Sequence, residues 1–279
     1  MKVLLTGSRG MLAQAVRREL ERRGHDVLAP DEAELDVTRP EDVDRVLGET
    51  APQAVVQCAA YTAVDLAEEH EDEAMRVNGD GTAIVARACR RLGAQFVYPS
   101  TDYVFDGAAT EPYRPDTRPA PLNAYGRSKL AGEVAAREAG QVFIVRTAWL
   151  YGAGGPNFPS AILRKARAGE ALRVVADQRG APTWTVDLAR VFLDLLERNA
   201  HPGIYHATNG GQTTWHGFAR EALRLAGLPT HVEAINTEDM PRPAARPRYS
   251  VLDCSATEAI VGPIRPWQDA LQAALAEGL

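Results

Sequence analysis

The chain has 279 residues, with 37 acidic against 31 basic side chains, a net charge of −6 and 45% hydrophobic content. This balance leaves no basic stripe for nucleic acid, and no stretch approaches the ~20 apolar residues of a membrane span. Three scattered cysteines, Cys58, Cys89 and Cys254, suit reduced thiols in a cytoplasmic protein better than a disulfide framework, and the histidines show no ligand spacing for a metal.

Residues 2–6, Lys-Val-Leu-Leu-Thr, read as a short buried parallel strand; the run stops at Thr6-Gly7, so no signal peptide is expected. Gly7-Ser8-Arg9-Gly10-Met11-Leu12-Ala13 follows. A helix comes next, with apolar residues at 11, 12, 15, 16 and 20, and it ends at Gly24. Strand, glycine turn and helix is the context a dinucleotide pyrophosphate needs. Gly7 and Gly10 let the backbone approach it, and the helix N-terminus attracts it. The spacing is Gly-x-x-Gly-x-x-Ala rather than Gly-x-Gly-x-x-Gly.

A second strand, Asp26 to Ala29, ends at Pro30-Asp31. An acid in this place holds the adenosine ribose and favours NAD, whereas Arg9 suits the 2′-phosphate of NADP. These two clues conflict. Asp36 reads either as a cap for the next segment or as an adenine contact. Ala54 to Ala60 is a further buried strand, running into Tyr61-Thr62. A long helix over 71–92 contains Asn78 and is closed by Gly93. Phe96-Val97-Tyr98 is the next strand, with Ser100-Thr101 at its C-terminal end, and Phe143 to Thr147 is another. The alternation predicts an α/β fold with a Rossmann-like, doubly wound parallel sheet.

Beyond Trp149 the alternation weakens. Helices are expected at about 158–168, 185–198 and 215–226, strands at 172–175 and 203–207, and an ordered loop or lid over 237–248. Residues 1–148 and 177–204 are assigned to the dinucleotide-binding domain. Residues 149–176 and 205–279 are assigned to a smaller C-terminal substrate-binding lobe, with a cleft between the two.

Tyr125 and Lys129 are four residues apart, one turn on one face of a helix. A neighbouring cation lowers a phenol's pKa, and a hydroxyl from Thr101 can bind the same reacting oxygen. With a hydride carrier alongside, these groups suit carbonyl reduction or alcohol oxidation. Taken alone, the pair also reads as a surface contact. However, only three of the 31 basic residues are lysine (Lys2, Lys129, Lys165), and arginine cannot replace a compact ammonium. Asp102 reads as a sugar-hydroxyl ligand or as a turn residue. Arg242, Arg246 and Arg248 read as diphosphate ligands or as solvated loop charges.

Taken in order, the Thr6-Gly7-x-x-Gly10 loop, Ala59-Ala60-Tyr61-Thr62, Ser100-Thr101-Asp102-Tyr103-Val104-Phe105-Asp106-Gly107 and Tyr125-x-x-x-Lys129 resemble the extended short-chain dehydrogenase/reductases that act on nucleotide sugars. Arg146-Thr147-Ala148-Trp149, Asn157-Phe158, Gly180-Ala181-Pro182-Thr183, Gly211-Gln212-Thr213-Thr214-Trp215 and Arg265-Pro266-Trp267 narrow the resemblance to the dTDP-4-dehydrorhamnose reductase family, over essentially the whole chain.

The resemblance implies reduction of a dTDP-4-keto-6-deoxy sugar, dTDP-4-dehydro-L-rhamnose, at C4 to dTDP-L-rhamnose. The cofactor would be NADPH, with NADH possible. Tyr125 would be the proton donor, Lys129 would hold the nicotinamide ribose, and Thr101 would bind the reacting oxygen. Gly10, Met11, Leu12, Asp31, Asp36, Val37, Ala60, Tyr61 and Thr62 match the family's cofactor contacts. Thr101, Asp102 and Trp149 match its substrate contacts, and Tyr103 is counted with them. The absence of a Glu after Thr101-Asp102 favours reduction over the dehydration carried out by related enzymes. The magnesium-binding carboxylates of some members are not matched at Gln14-Ala15, so no metal is expected, and the chain is taken as a monomer or weak homodimer. A sibling 4-ketoreductase or epimerase and a non-enzymatic regulatory subunit are the alternatives.

Overall fold

The computed structural model describes residues 1–198 and 200–279. In chain order the first half contains β1 (Lys2–Thr6), α1 (Met11–Arg22), β2 (Asp26–Leu28), α2 (Pro40–Thr50), β3 (Ala54–Gln57), α3 (Glu71–Met75), α4 (Gly81–Leu92), β4 (Gln95–Thr101), α5 (Ala124–Ala136) and β5 (Val142–Thr147). The second half adds β6 (Leu150–Tyr151), α6 (Phe158–Arg167), β7 (Leu172–Val175), β8 (Arg179–Gly180), β9 (Thr183–Trp184), α7 (Thr185–Glu197), β10 (Gly203–His206), β11 (Thr213–Thr214), α8 (Trp215–Leu225), β12 (Val232–Ile235), α9 (Ser255–Val261) and α10 (Trp267–Ala276).

One parallel sheet in the order β2-β1-β3-β4-β5-β10 forms the backbone of the fold. The chain leaves β1 toward β2 on one side and returns to β3 on the other. The order therefore reverses between β1 and β3, and the crevice at their C-terminal ends is where such a sheet binds its ligand. The strands are apolar on both sides because helices cover both faces. Ala15, Val16 and Leu20 of α1 meet Leu188, Phe192 and Leu195 of α7 under one face. Val43 and Leu47 of α2 and Val85, Ala86 and Cys89 of α4 pack under the other.

The helix expected over 71–92 is interrupted. A five-residue π-turn, Arg76–Asp80, joins α3 to α4 and carries Asn78. π-turns of this kind concentrate at functional sites because they re-aim a side chain. Trp149 is followed by a second core in which α6, α8 and α10 pack around Tyr151, Trp184, Phe218 and Trp267. Three two-stranded pairs, β11-β8, β12-β7 and β6-β9, frame it. Strand β12 and helices α9 and α10 carry no clear sequence signal of their own and are fixed by pairing and packing. The segment after β12 contains only a short 3₁₀ turn, Thr237–Asp239, before it returns along the first half through the Tyr113–Leu252 bridge.

Candidate active site

Helix α5 starts sharply. The Asn123 side chain accepts from Gly126 N–H at 2.7 Å and donates to Ala245 O at 2.8 Å, which caps the helix and ties it to the returning C-terminal segment. Tyr125 and Lys129 therefore sit one turn apart over the end of β4. Lys129 is buried; its ammonium donates to Pro99 O at 2.7 Å and lies 4.0 Å from the Tyr98 ring centre. Burial pulls its pKa down to about 7, against the opposing pull of Glu133.

Tyr125 departs from expectation. Its phenol is raised rather than lowered: burial dominates, the Asp102 charge adds to it, and the Thr101 hydroxyl opposes. Burial outweighs the cation one turn away, whose ammonium donates to the Pro99 carbonyl.

Thr101, Asp102 and Tyr103 turn the chain at the end of β4. Thr101 Oγ1 accepts from Tyr103 N–H and donates to Asp102 Oδ1, both at 3.1 Å. Tyr103 meets the Tyr125 ring edge-on, 5.7 Å between centres. Asp102 is 1% exposed, and among the described residues its Oδ2 has no hydrogen-bond partner. Desolvation raises its pKa to about 6. A carboxyl whose folded pKa lies above its unfolded value binds protons more tightly when folded, so it favours the fold at low pH. That advantage is lost as pH rises from about 4 to about 6. Two units correspond to about 3 kcal/mol. We expect Asp102→Asn to raise the unfolding free energy at pH 8 by about 1–3 kcal/mol and to change it little at pH 4. Urea denaturation at the two pH values checks this, and an equal effect at both would remove the titration as its cause.

One cleft of about 550 Å³ collects most of the candidates: Gly10, Met11, Leu12, Ala60, Thr62, Thr101, Asp102, Tyr103, Tyr125, Lys129 and Trp149. A larger open groove of about 770 Å³, between α8 and β12, contains none of them. Gly7 lies behind the cleft. Its φ of +64° and an approach of 2.6 Å between a built Cβ and Ala59 N leave room only for glycine. Gly10 caps α1 with no side chain over the first turn, which leaves the N-terminus open to an anion. Arg9 and Asp31 do not compete from separate places: they form one exposed ion pair at 2.6 Å. Asp36 accepts from Thr38 N–H and Oγ1 at 2.9 and 2.8 Å, the turn-capping alternative. Val37 is buried in the core beneath Gly81.

Tyr61 is held by its backbone. Asn78 accepts from Tyr61 N–H at 2.9 Å, donates to Tyr61 O at 3.0 Å and donates to Ser128 Oγ at 2.9 Å, and Ser128 in turn donates to Tyr125 O at 2.8 Å. Asn78 thus ties the loop after β3 to the first turn of α5. Sequence reasoning passed over it; its only signal is a polar residue inside a helix. Trp215 was also passed over as a site residue. It stacks on Trp149 at 3.7 Å and 11°, beside Phe158. Trp149 itself has φ +47°, a strained conformation for a bulky residue, and its ring fits because Gly180 has no Cβ.

The whole chain, residues 1–279, matches the family described as RmlD substrate binding domain. A dTDP-4-dehydrorhamnose reductase from Streptomyces griseus is 46% identical over 276 residues, covering 96% of this chain and 91% of that protein. The chain belongs to the dTDP-4-dehydrorhamnose reductase family. A relative from Streptomyces niveus, a dTDP-4-keto-6-deoxy-D-glucose reductase, is 40% identical, covering 96% of this chain and 94% of that protein. The solved dTDP-4-dehydrorhamnose reductase of Bacillus anthracis, in complex with NADP, superposes with a TM-score of 0.95 at 38% identity over 99% of both chains.

In this member of the dTDP-4-dehydrorhamnose reductase family the three loop arginines are engaged. Arg246 forms a two-pronged pair with Asp65, at 2.5 and 2.9 Å, Arg242 lies 3.8 Å from the same carboxylate, and Arg248 pairs with Glu238. Among the described residues no group of three or more His, Cys, Asp or Glu side chains could hold a metal ion, and no helix is long and apolar enough to cross a membrane.

Proposed function

We propose that this chain reduces dTDP-4-dehydro-L-rhamnose to dTDP-L-rhamnose with NADPH as cofactor and NADH as the alternative. The observation that carries the reading is the convergence of Thr101, Tyr125 and Lys129 with the open N-terminus of α1 in a single cleft. The surroundings fit a dinucleotide. The Gly7 turn admits no Cβ, the first turn of α1 is free of side-chain caps, and Gln57 Oε1 is buried in the cleft wall with no partner among the described residues. An exposed ion pair such as Arg9–Asp31 contributes only about 0–1 kcal/mol, so Arg9 is free to exchange Asp31 for a 2′-phosphate.

The bound nicotinamide supplies the hydride. The Thr101 hydroxyl turns from Asp102 Oδ1 to donate to the carbonyl oxygen and orients it. Tyr125, fully protonated at neutral pH because burial raises its pKa, delivers a proton from Oη as charge develops on that oxygen. Lys129, fixed by Pro99 O, holds the ribose, and its charge stabilises the phenolate left behind. Asp102 accepts from a sugar hydroxyl through the oxygen that has no protein partner, and Trp149 covers the apolar face of the sugar. The division into a dinucleotide-binding part (1–148 and 177–204) and a substrate lobe (149–176 and 205–279) follows the same reading, except that β8 and β9 pair with β11 and β6 of the lobe and β10 carries the first part on to His206.

The Streptomyces niveus relative favours a second reading, reduction of a sibling 4-keto-6-deoxy sugar. Loss of reduced-nicotinamide absorbance with the 4-keto sugar, with and without a 3,5-epimerase, and NMR of the product decide between them. We expect stoichiometric oxidation giving dTDP-L-rhamnose only when the epimerase is present. No oxidation with authentic substrate would overturn both readings.

A further inference from the structure

A row of buried polar residues that the proposed chemistry does not use starts at Ser100 in the cleft wall. Ser100 on β4, Arg146 on β5 and His206 on β10 are direct neighbours across three adjacent strands. Glu133, on α5 one turn beyond Lys129, closes over them. The exposures are 4% for Ser100, 1% for Arg146, 0% for His206 and 1% for Glu133.

The contacts are specific. Arg146 donates to both Glu133 oxygens, from Nε at 2.8 Å and from Nη2 at 2.7 Å, and Ser100 Oγ donates to Glu133 Oε1 at 2.6 Å. Arg146 Nη1 reaches Pro115 O at 3.2 Å and His206 Nε2 at 3.4 Å. His206 Nδ1 donates to Tyr113 O at 3.0 Å, so Nε2 is the acceptor and the ring is neutral. The guanidinium also lies over the Phe105 ring, 5.0 Å from its centre.

A buried ion pair is an expensive way to join a helix to a sheet, and apolar residues of similar volume commonly do it equally well. What apolar residues cannot do is fix direction. The Arg146 fork and the Ser100 hydroxyl allow Glu133 one orientation and one height above the sheet. Ser100 immediately precedes Thr101, and Glu133 shares its helix with Tyr125 and Lys129. We propose that Glu133 and Arg146 are positioning residues, whose buried fork sets the distance between the strand carrying Thr101 and the helix carrying Tyr125 and Lys129.

This role rests on the proposed reduction, since it matters most to a reaction needing all three groups on one oxygen. The test is the pair Glu133→Leu/Arg146→Met, which removes both charges together and leaves neither stranded. Melting temperature, kcat and KM for the 4-keto sugar, and amide hydrogen exchange of the cofactor-free protein over residues 95–104 and 124–132 are measured against the parent. We expect a folded variant, kcat about 10- to 100-fold lower, sugar KM within about threefold, and faster exchange in both segments. Parental kcat, or parental exchange, in the folded variant would overturn the proposal. If the double variant does not fold, Ser100→Ala decides, since it leaves the ion pair intact. A kcat loss of about threefold or more at constant KM supports the role, and parental kcat overturns it. If the parent itself does not reduce the sugar, the proposed function fails, and the exchange rates alone decide the positioning role in the same sense.

Discussion

Tyr125→Phe lowers kcat by about 10²- to 10⁴-fold, with KM for the dTDP-sugar within about threefold of the parent. The hydroxyl is the only atom removed. Its neighbouring hydroxyl, Thr101, keeps Tyr103 N–H and Asp102 Oδ1 as partners, so the loss strands no buried group. The ring remains to pack edge-on against Tyr103 and beside Ala67, Ala74 and Ala124. Burial is what raises the phenol, so losing it relieves desolvation rather than adding strain. Thr101 can still bind the carbonyl oxygen, and Lys129 remains on Pro99 O, which keeps ground-state binding intact. What disappears is the proton delivered as the carbonyl becomes an alkoxide. Steady-state kinetics with saturating NADPH, alongside a thermal melt, checks this. A folded variant retaining more than a tenth of parental kcat would show that the proton comes from elsewhere, with buried Asp102 of the same cleft an alternative source.

Gly7→Ala weakens NADPH binding at least tenfold and destabilises the protein by about 2–5 kcal/mol. Two independent penalties produce this. Gly7 has φ +64°, where a Cβ costs about 1–2 kcal/mol. The added carbon would lie 2.6 Å from Ala59 N, 2.7 Å from Ala59 Cα and 2.9 Å from Cys58 C, all backbone of the chain leaving β3. No side chain can rotate aside, so β1 and β3 must part at the crevice, at an overpacking cost of about 1–3 kcal/mol. The Gly7 carbonyl also accepts from Gly10 N–H at 2.9 Å, so the shift carries through to the start of α1, where the pyrophosphate is expected to rest. Urea denaturation and fluorescence titration with NADPH measure the two effects separately. Parental affinity together with an unchanged denaturation midpoint would show that the turn has more room than its contacts indicate.

Much of the sheet was legible in the sequence because its strands are short apolar runs closed by glycine, proline or small polar residues. Lys2–Thr6 followed by Gly7, and Gln95–Thr101 ending in Ser100-Thr101, announce their ends locally. The Tyr125–Lys129 spacing was legible for the same reason: a helix converts a separation of four into a shared face whatever surrounds it. The residues that assemble the site from distant segments were not legible. Asn78 in its π-turn bridges Tyr61 to Ser128, and Trp215 stacks on a Trp149 whose strained backbone depends on the space left by Gly180.

The sequence by itself determined the alternation of strand and helix, the glycine turn and the chemical identities of Thr101, Tyr125 and Lys129, because each depends on neighbours within one or two turns of chain. Only the tertiary structure decided how those groups are charged and aimed. Lys129 donates to Pro99 O, burial raises Tyr125 despite the cation one turn away, Arg246 is held by Asp65, and Asp102 is left with a bare carboxylate oxygen. Charge state and direction depend on desolvation and on partners brought in from elsewhere in the chain, and in a protein interior those outweigh a neighbour four residues away.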